Sequence, residues 1–209
     1  MNHYPLLFLA TMIAAVAASG PPGLLNVNAA KVGVEKGKQS GINFSVGIAF
    51  TVALQVYLSV RIAKFLARNP EVIAVLMKAA LVLFAVLALF FFVKGYRRTK
   101  KVIALQKSDS KNSFIKGFFL AWLNFLQIPF YSWLNTVLHK QQIMNFEIID
   151  EIIFIVAAAF GTFLVMYFYV FYFNKLESKT NWFSKNSNYV LGALMLLLLC
   201  ITLIRVYYR

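Results

Sequence analysis

The feature that most constrains this chain is a succession of uncharged apolar stretches punctuated by clusters of Lys and Arg. A helix rises 1.5 Å per residue, so about 20 residues cross the hydrocarbon of a bilayer. Six stretches approach that length. The first runs over residues 4–19, is interrupted by Gly20-Pro21-Pro22-Gly23, and continues uncharged to Ala30. The second lies between Lys38 and Arg61, the third covers 72–93 with Lys78 inside it, and the fourth lies between Lys116 and His139 with Pro129 near its middle. The fifth covers 151–173, and the sixth fills the interval from Lys185 to Arg205. With 61% of residues hydrophobic and only 13% charged, the chain lacks the polar surface of a soluble domain, which carries about 25% charged residues. Lipid is the solvent this sequence requires, and aromatic residues at span ends, such as Trp133 and Tyr172, suit the interface.

Lys and Arg number 21 against 7 Asp and Glu. This excess does not read as a nucleic-acid surface, because the basic residues sit between apolar runs instead of along a polar face. It reads as topology. The odd-numbered loops hold 14 Lys and Arg and the even loops and termini hold 6, which places the odd loops in the cytoplasm and both termini outside. The first segment is not expected to be a cleaved signal peptide, since no Lys or Arg precedes it. If it enters and leaves on one face, five spans remain and the N-terminus moves inside. The one cysteine, Cys200, excludes a disulfide framework and a CxxC pair, and His139 has no partner at metal-ligand spacing.

A basic loop over residues 98–113 separates two hydrophobic halves, 1–97 and 114–209, of three spans each. Because three is odd, equivalent halves would be inverted relative to one another, a plan used by many secondary transporters. The fold expected is therefore an all-α integral membrane protein of six helices in two inverted three-helix repeats, with the first and fourth helices broken.

The breaks are where chemistry is expected. Proline lacks an N–H and obstructs the carbonyl one turn back, so Gly20-Pro21-Pro22-Gly23 frees several backbone groups inside a span. The helix that restarts there suits a carboxylate, and freed carbonyls suit an ammonium or a cation. Asn26 and Asn28 follow directly. In the fourth span Asn124, Gln127 and Pro129 make a second break, with Asn124 and Gln127 on one helical face. Gln55 and Thr51, four apart in the second span, form a polar stripe that fits either substrate contact or interhelical bonding. Gly37, Gly41 and Gly47 are read as points of close helix approach. Glu147, Asp150 and Glu151 open the fifth helix, where the macrodipole favours negative charge.

The run Ser19-Gly20-Pro21-Pro22-Gly23-Leu24-Leu25-Asn26, followed by Lys36-Gly37-Lys38-Gln39-Ser40-Gly41 and Gly47, resembles the first-helix signature of the lysine exporter family of amino-acid efflux proteins. Phe114-Ile115-Lys116-Gly117-Phe118 with Asn124 resembles the start of that family's fourth helix. In the family an Asn-Pro pair is common there, whereas here Phe125 follows Asn124 and the proline comes at 129. The resemblance implies a bacterial inner-membrane exporter of amino acids or their derivatives, driven by an ion gradient, without a cofactor and not an enzyme. Its implied partners are the substrate, a coupling ion and lipid, with no nucleic acid; self-association stays open. A metal-ion or other small-solute exporter of the same superfamily, or a membrane protein that transports nothing, are the alternatives.

Overall fold

A computed structural model describes residues 3–96 and 112–207, which are helical wherever they are regular. The helices are α1 (Tyr4–Ser19), α2 (Leu24–Glu35), α3 (Lys38–Arg68), α4 (Pro70–Tyr96), α5 (Ser113–Trp122), α6 (Gln127–Lys140) and α7 (Ile148–Tyr207). Most of the basic central loop lies outside the described residues. Two compact units are present: residues 1–67 with 107–177, and residues 68–106 with 178–209. Each draws on both hydrophobic halves of the sequence. The second unit holds α4 and the last part of α7.

Among the described residues, two segments are by themselves long and apolar enough to cross a membrane: Lys38–Arg68 and Ile148–Tyr172. Two further crossings are available as bent pairs, α1 with α2 at 80° and α5 with α6 at 70°. The first and fourth expected spans are therefore broken as expected. The expected loop between the fifth and sixth spans is not a turn. Helix continues from Ile148 to Tyr207, because residues 162–191 contain no Gly or Pro, and the polar run Asn174-Lys175-Leu176-Glu177-Ser178 is as compatible with helix as the apolar sequence around it. Polarity alone marks a loop only where something also stops the helix.

Both bends have local causes. At the first, Pro21 and Pro22 supply no N–H to carry the ladder onward, and Gly23 is extended (φ −128°, ψ −175°) before α2 begins. At the second, Pro129 is not in the break but in the first turn of α6, where a missing N–H costs nothing. Its ring obstructs the carbonyl four residues earlier, that of Phe125, so the interruption falls upstream over 123–126.

In the first unit the buried face of α3 mixes apolar residues, Phe44, Ile48, Val52, Val56 and Val60, with a polar line, and its outer face is apolar. Ser45, Thr51, Gln55 and Ser59 are buried, while Phe50, Leu54, Leu58, Ile62 and Phe65 are exposed. An outer face this apolar fits a helix facing lipid. Glycines bring α3 and α5 into backbone contact: a Cβ on Gly47 would collide with the Phe114 carbonyl oxygen, and one on Gly117 with the Phe44 carbonyl oxygen. Gly41 lies in the same way against Gly33 and Val170. Gly37 differs from the expectation. It makes no close approach but turns α2 into α3 with φ +88°, a conformation that favours glycine.

Gly47→Ala and Gly117→Ala should each lower the thermal midpoint of the detergent-purified protein by the equivalent of about 1–3 kcal/mol, the usual cost of overpacking. Gly23→Ala, whose added carbon would find its nearest neighbour at 3.9 Å, should leave the midpoint unchanged. Differential scanning fluorimetry checks all three.

Candidate functional site

At the first break, side chains occupy the carbonyls left open where α1 stops. Asn26 Nδ2 donates to Ser19 O at 2.7 Å and to Pro21 O at 3.3 Å. Tyr169 Oη on α7 donates to Gly20 O at 2.9 Å, and the Ser19 and Thr162 hydroxyls lie 3.4 Å apart. Asn26 is buried and stitches the break shut from one turn inside α2. Asn28 turns away: its Nδ2 donates to Leu24 O of its own helix at 2.7 Å. The start of α2 is left without a side-chain cap, and its first intrahelical bond is Val27 N to Gly23 O. The amides of the first three helical residues have no carbonyl a turn back, so this break offers donors more than acceptors.

At the second break the same task falls to α3. Gln55 Nε2 donates to Ala121 O at 3.3 Å and Asn124 O at 3.4 Å; the Thr51 hydroxyl is shared between Phe118 O at 3.0 Å and Gly47 O of its own helix at 3.1 Å, and the Ser59 hydroxyl between Gln55 O at 2.7 Å and Ile128 O at 3.0 Å. Ser132 Oγ returns a bond to Ser59 O at 3.2 Å. Residues 51, 55 and 59 are spaced by four and form one line along the helix, which meets successive carbonyls across the α5–α6 interruption. Gln55 and Asn124 are thus brought together, with Gln127 joined to them through its own N–H on Asn124 O at 3.4 Å. Pro129 stands one turn beyond, exposed.

A model of the LysE type translocator family matches residues 16–205, from the last turn of α1 to Arg205. The chain belongs to this family. No curated protein and no solved structure matches it significantly. The translocator is accordingly a multi-pass membrane protein of a transporter family. Gly20-Pro21-Pro22-Gly23-Leu24-Leu25-Asn26, which lies within the matched residues, is the segment in which Asn26 closes the break. Among the described residues, no hydrogen bond joins the first break to the second: the first is held by α7, the second by α3. Ser59, Thr162 and Tyr169 are partners that sequence reasoning missed. Ser59 had a signal, as the next member of the Thr51 and Gln55 series; Tyr169 had none, because nothing local relates it to Gly20.

Charges gather at one end of the first unit, where α1 begins, α3 and α6 end, and α7 starts. Asp150 is fully buried and accepts from His3 Nε2 at 2.8 Å and from Asn145 N at 2.6 Å. Glu151, 4% exposed, pairs with Arg61 at 2.7 Å and with Lys64. The connecting loop is held by His139 Nδ1 donating to Met144 O at 2.7 Å and by Phe146, whose ring lies 4.3 Å from that of His139 and under the Lys64 ammonium. The acidic cluster thus does more than complement the dipole of α7: it ties the start of α1, the end of α3 and the preceding loop to its first turn. No group of three or more His, Cys, Asp or Glu suited to a metal occurs among the described residues.

Arg61→Ala or Lys64→Ala alone should cost the translocator little, because the other cation still neutralises Glu151. The double variant leaves a buried carboxylate unpaired and should cost about 3–5 kcal/mol. Adding Glu151→Gln should recover most of that loss, as read by thermal unfolding in detergent.

Proposed function

We propose that this translocator exports amino acids or close derivatives of them from the bacterial cytoplasm, as a secondary transporter of the cell membrane that works by alternating access. The observation that carries the reading is the pair of broken helices, one opening each hydrophobic half and each followed by a long helix, in a chain of this family. That order supports two inverted repeats. Broken helices place backbone donors and acceptors where a polar solute needs them and where unbroken helices have none to offer. The uncapped start of α2 suits a substrate carboxylate: its amides point along the helix axis into the break, and the positive end of the dipole lies there.

On the charge count of the loops, the end carrying His3, Asp150 and Glu151 faces outside, and the turn between α2 and α3 faces the cytoplasm. An ion gradient drives the cycle. Gly20, Pro21, Pro22, Gly23 and Asn26 shape the first subsite; Gln55, Asn124, Gln127 and Pro129 shape the second. Asn28 contributes through the helix it stabilises.

Cells or proteoliposomes loaded with a mixture of labelled amino acids should lose one or a few of them in a protein-dependent manner. Gly23→Val, which places a branched side chain at the start of α2 with its Cβ no nearer than 3.9 Å to a neighbouring atom, should reduce that efflux at least tenfold at unchanged membrane abundance and thermal midpoint. Pro22→Ala with Asn26→Ala should also abolish it. Loss of folded protein in the Gly23 variant would return the break to a purely structural role, and protein-independent loss of every compound would remove amino acids from the reading.

A further inference from the structure

Two lysine-bearing helix ends are held side by side on α3. Gly33 of α2 lies against Gly41, and Gly117 of α5 against the Phe44 carbonyl. Gly41 and Phe44 are one turn apart, about 4.5 Å along the helix, and α2 packs against α5. This brings Lys31 and Lys36, at the end of α2, to Lys116, which precedes Gly117. The charges are near enough that Lys36 and Lys31 repel Lys116 while Glu35 attracts it. Glu35 is the one acidic residue of α2 and α5 together. It is exposed and pairs with Lys31 at 3.4 Å within its own helix, an arrangement that contributes little. Lys116 lies one turn inside α5, where the positive end of the dipole also disfavours a cation.

Topology alone asks for cations near this end of the helices, and exposed ones would serve. It does not ask for half-buried lysines, as Lys31 and Lys116 are, that face like charge across two helices. An anion between the ammoniums turns their repulsion into attraction. Beside them the surface is apolar: Val34, Ile115 and Phe119 are exposed, and Phe119 shares a helical face with Lys116 three residues before it. A soluble anion has no use for that rim, whereas a phospholipid carries its phosphate above apolar chains. We propose that Lys31, Lys36 and Lys116 bind the headgroup of an anionic phospholipid, which bridges α2 and α5 and lays its acyl chains along Val34, Ile115 and Phe119. On the orientation proposed above, the lipid belongs to the cytoplasmic leaflet, whose surface potential is negative. The site itself does not depend on the export reading.

The test uses the full chain purified in detergent and follows its thermal midpoint at constant ionic strength. It is titrated with short-chain phosphatidylglycerol, with phosphatidylcholine of the same chain length, and with sodium phosphate. Phosphatidylglycerol should stabilise the protein at concentrations at which the other two do not. Lys31→Gln with Lys116→Gln should raise the concentration for half-maximal stabilisation about tenfold or more, the loss expected for two lysines at an anionic surface. Lys31→Arg with Lys116→Arg should hold it. Arg68→Gln with Lys140→Gln, at the exposed last residues of α3 and α6, removes the same charge and should leave it unchanged. If the Lys31 and Lys116 double variant does not purify, Lys116→Gln alone should shift the titration in the same direction. Without lipid, Lys116→Gln should keep or raise the midpoint, because it removes repulsion; a fall would make Lys116 a structural residue and overturn the site. Equal stabilisation by phosphatidylglycerol and phosphatidylcholine, or an equal loss in the Arg68 and Lys140 variant, also overturns it. Equal stabilisation by sodium phosphate would give the cluster to a soluble anion and overturn the lipid. Selective lipid binding by a protein that exports no amino acid would keep the site and sink the export reading.

Discussion

A backbone carbonyl released inside lipid has no water to turn to, and the first unit of this translocator is arranged around that constraint. Two helices are interrupted, and a side chain from a neighbouring helix or the next turn meets most of the carbonyls set free. At the second interruption the supplier is a single line of three residues, Thr51, Gln55 and Ser59. At the first it is Asn26 from within and Tyr169 from across. An interruption closed in this way can be kept in a membrane.

The same line of residues explains why α3 carries glycine beside its polar stripe. A hydroxyl or amide on one helix reaches a carbonyl on another only if the backbones approach closely, and Gly47 and Gly117 permit that by removing the Cβ atoms that would meet Phe114 and Phe44. Small residues and polar residues therefore act as one device. Phe50, Leu54, Leu58 and Phe65 line the outer face, while Phe44 and Ile48 pack inside beside the polar line.

At the charged end the logic differs. Asp150 and Glu151 are buried, so each needs a partner, and the partners come from the start of α1 and the end of α3. Buried ion pairs contribute little net stability compared with apolar packing of similar volume, but they penalise any arrangement that separates them. They define which helix ends belong together.

How much of this was legible in the sequence varies residue by residue, and distance along the chain explains the difference. The Gly20-Pro21-Pro22-Gly23 break, the helical class, the membrane as solvent and the family resemblance all follow from neighbouring residues or from spacing, so they could be read directly. The polar stripe was visible at Thr51 and Gln55, yet its purpose was open, because substrate contact and interhelical bonding require the same residue types. Pro129 was visible, but its interruption lies a turn earlier, where its ring acts on the Phe125 carbonyl. The expected turn over 175–185 was inferred from polarity, which weakens a membrane span without stopping a helix. By itself the sequence determined that the chain must live in lipid and that its first span must break at Gly20-Pro21-Pro22-Gly23, since hydropathy and proline act locally. Only the tertiary structure decided that α3 closes the second break, that α7 reaches the first, and that Asp150 is matched with His3, because these depend on which backbones approach within hydrogen-bonding distance.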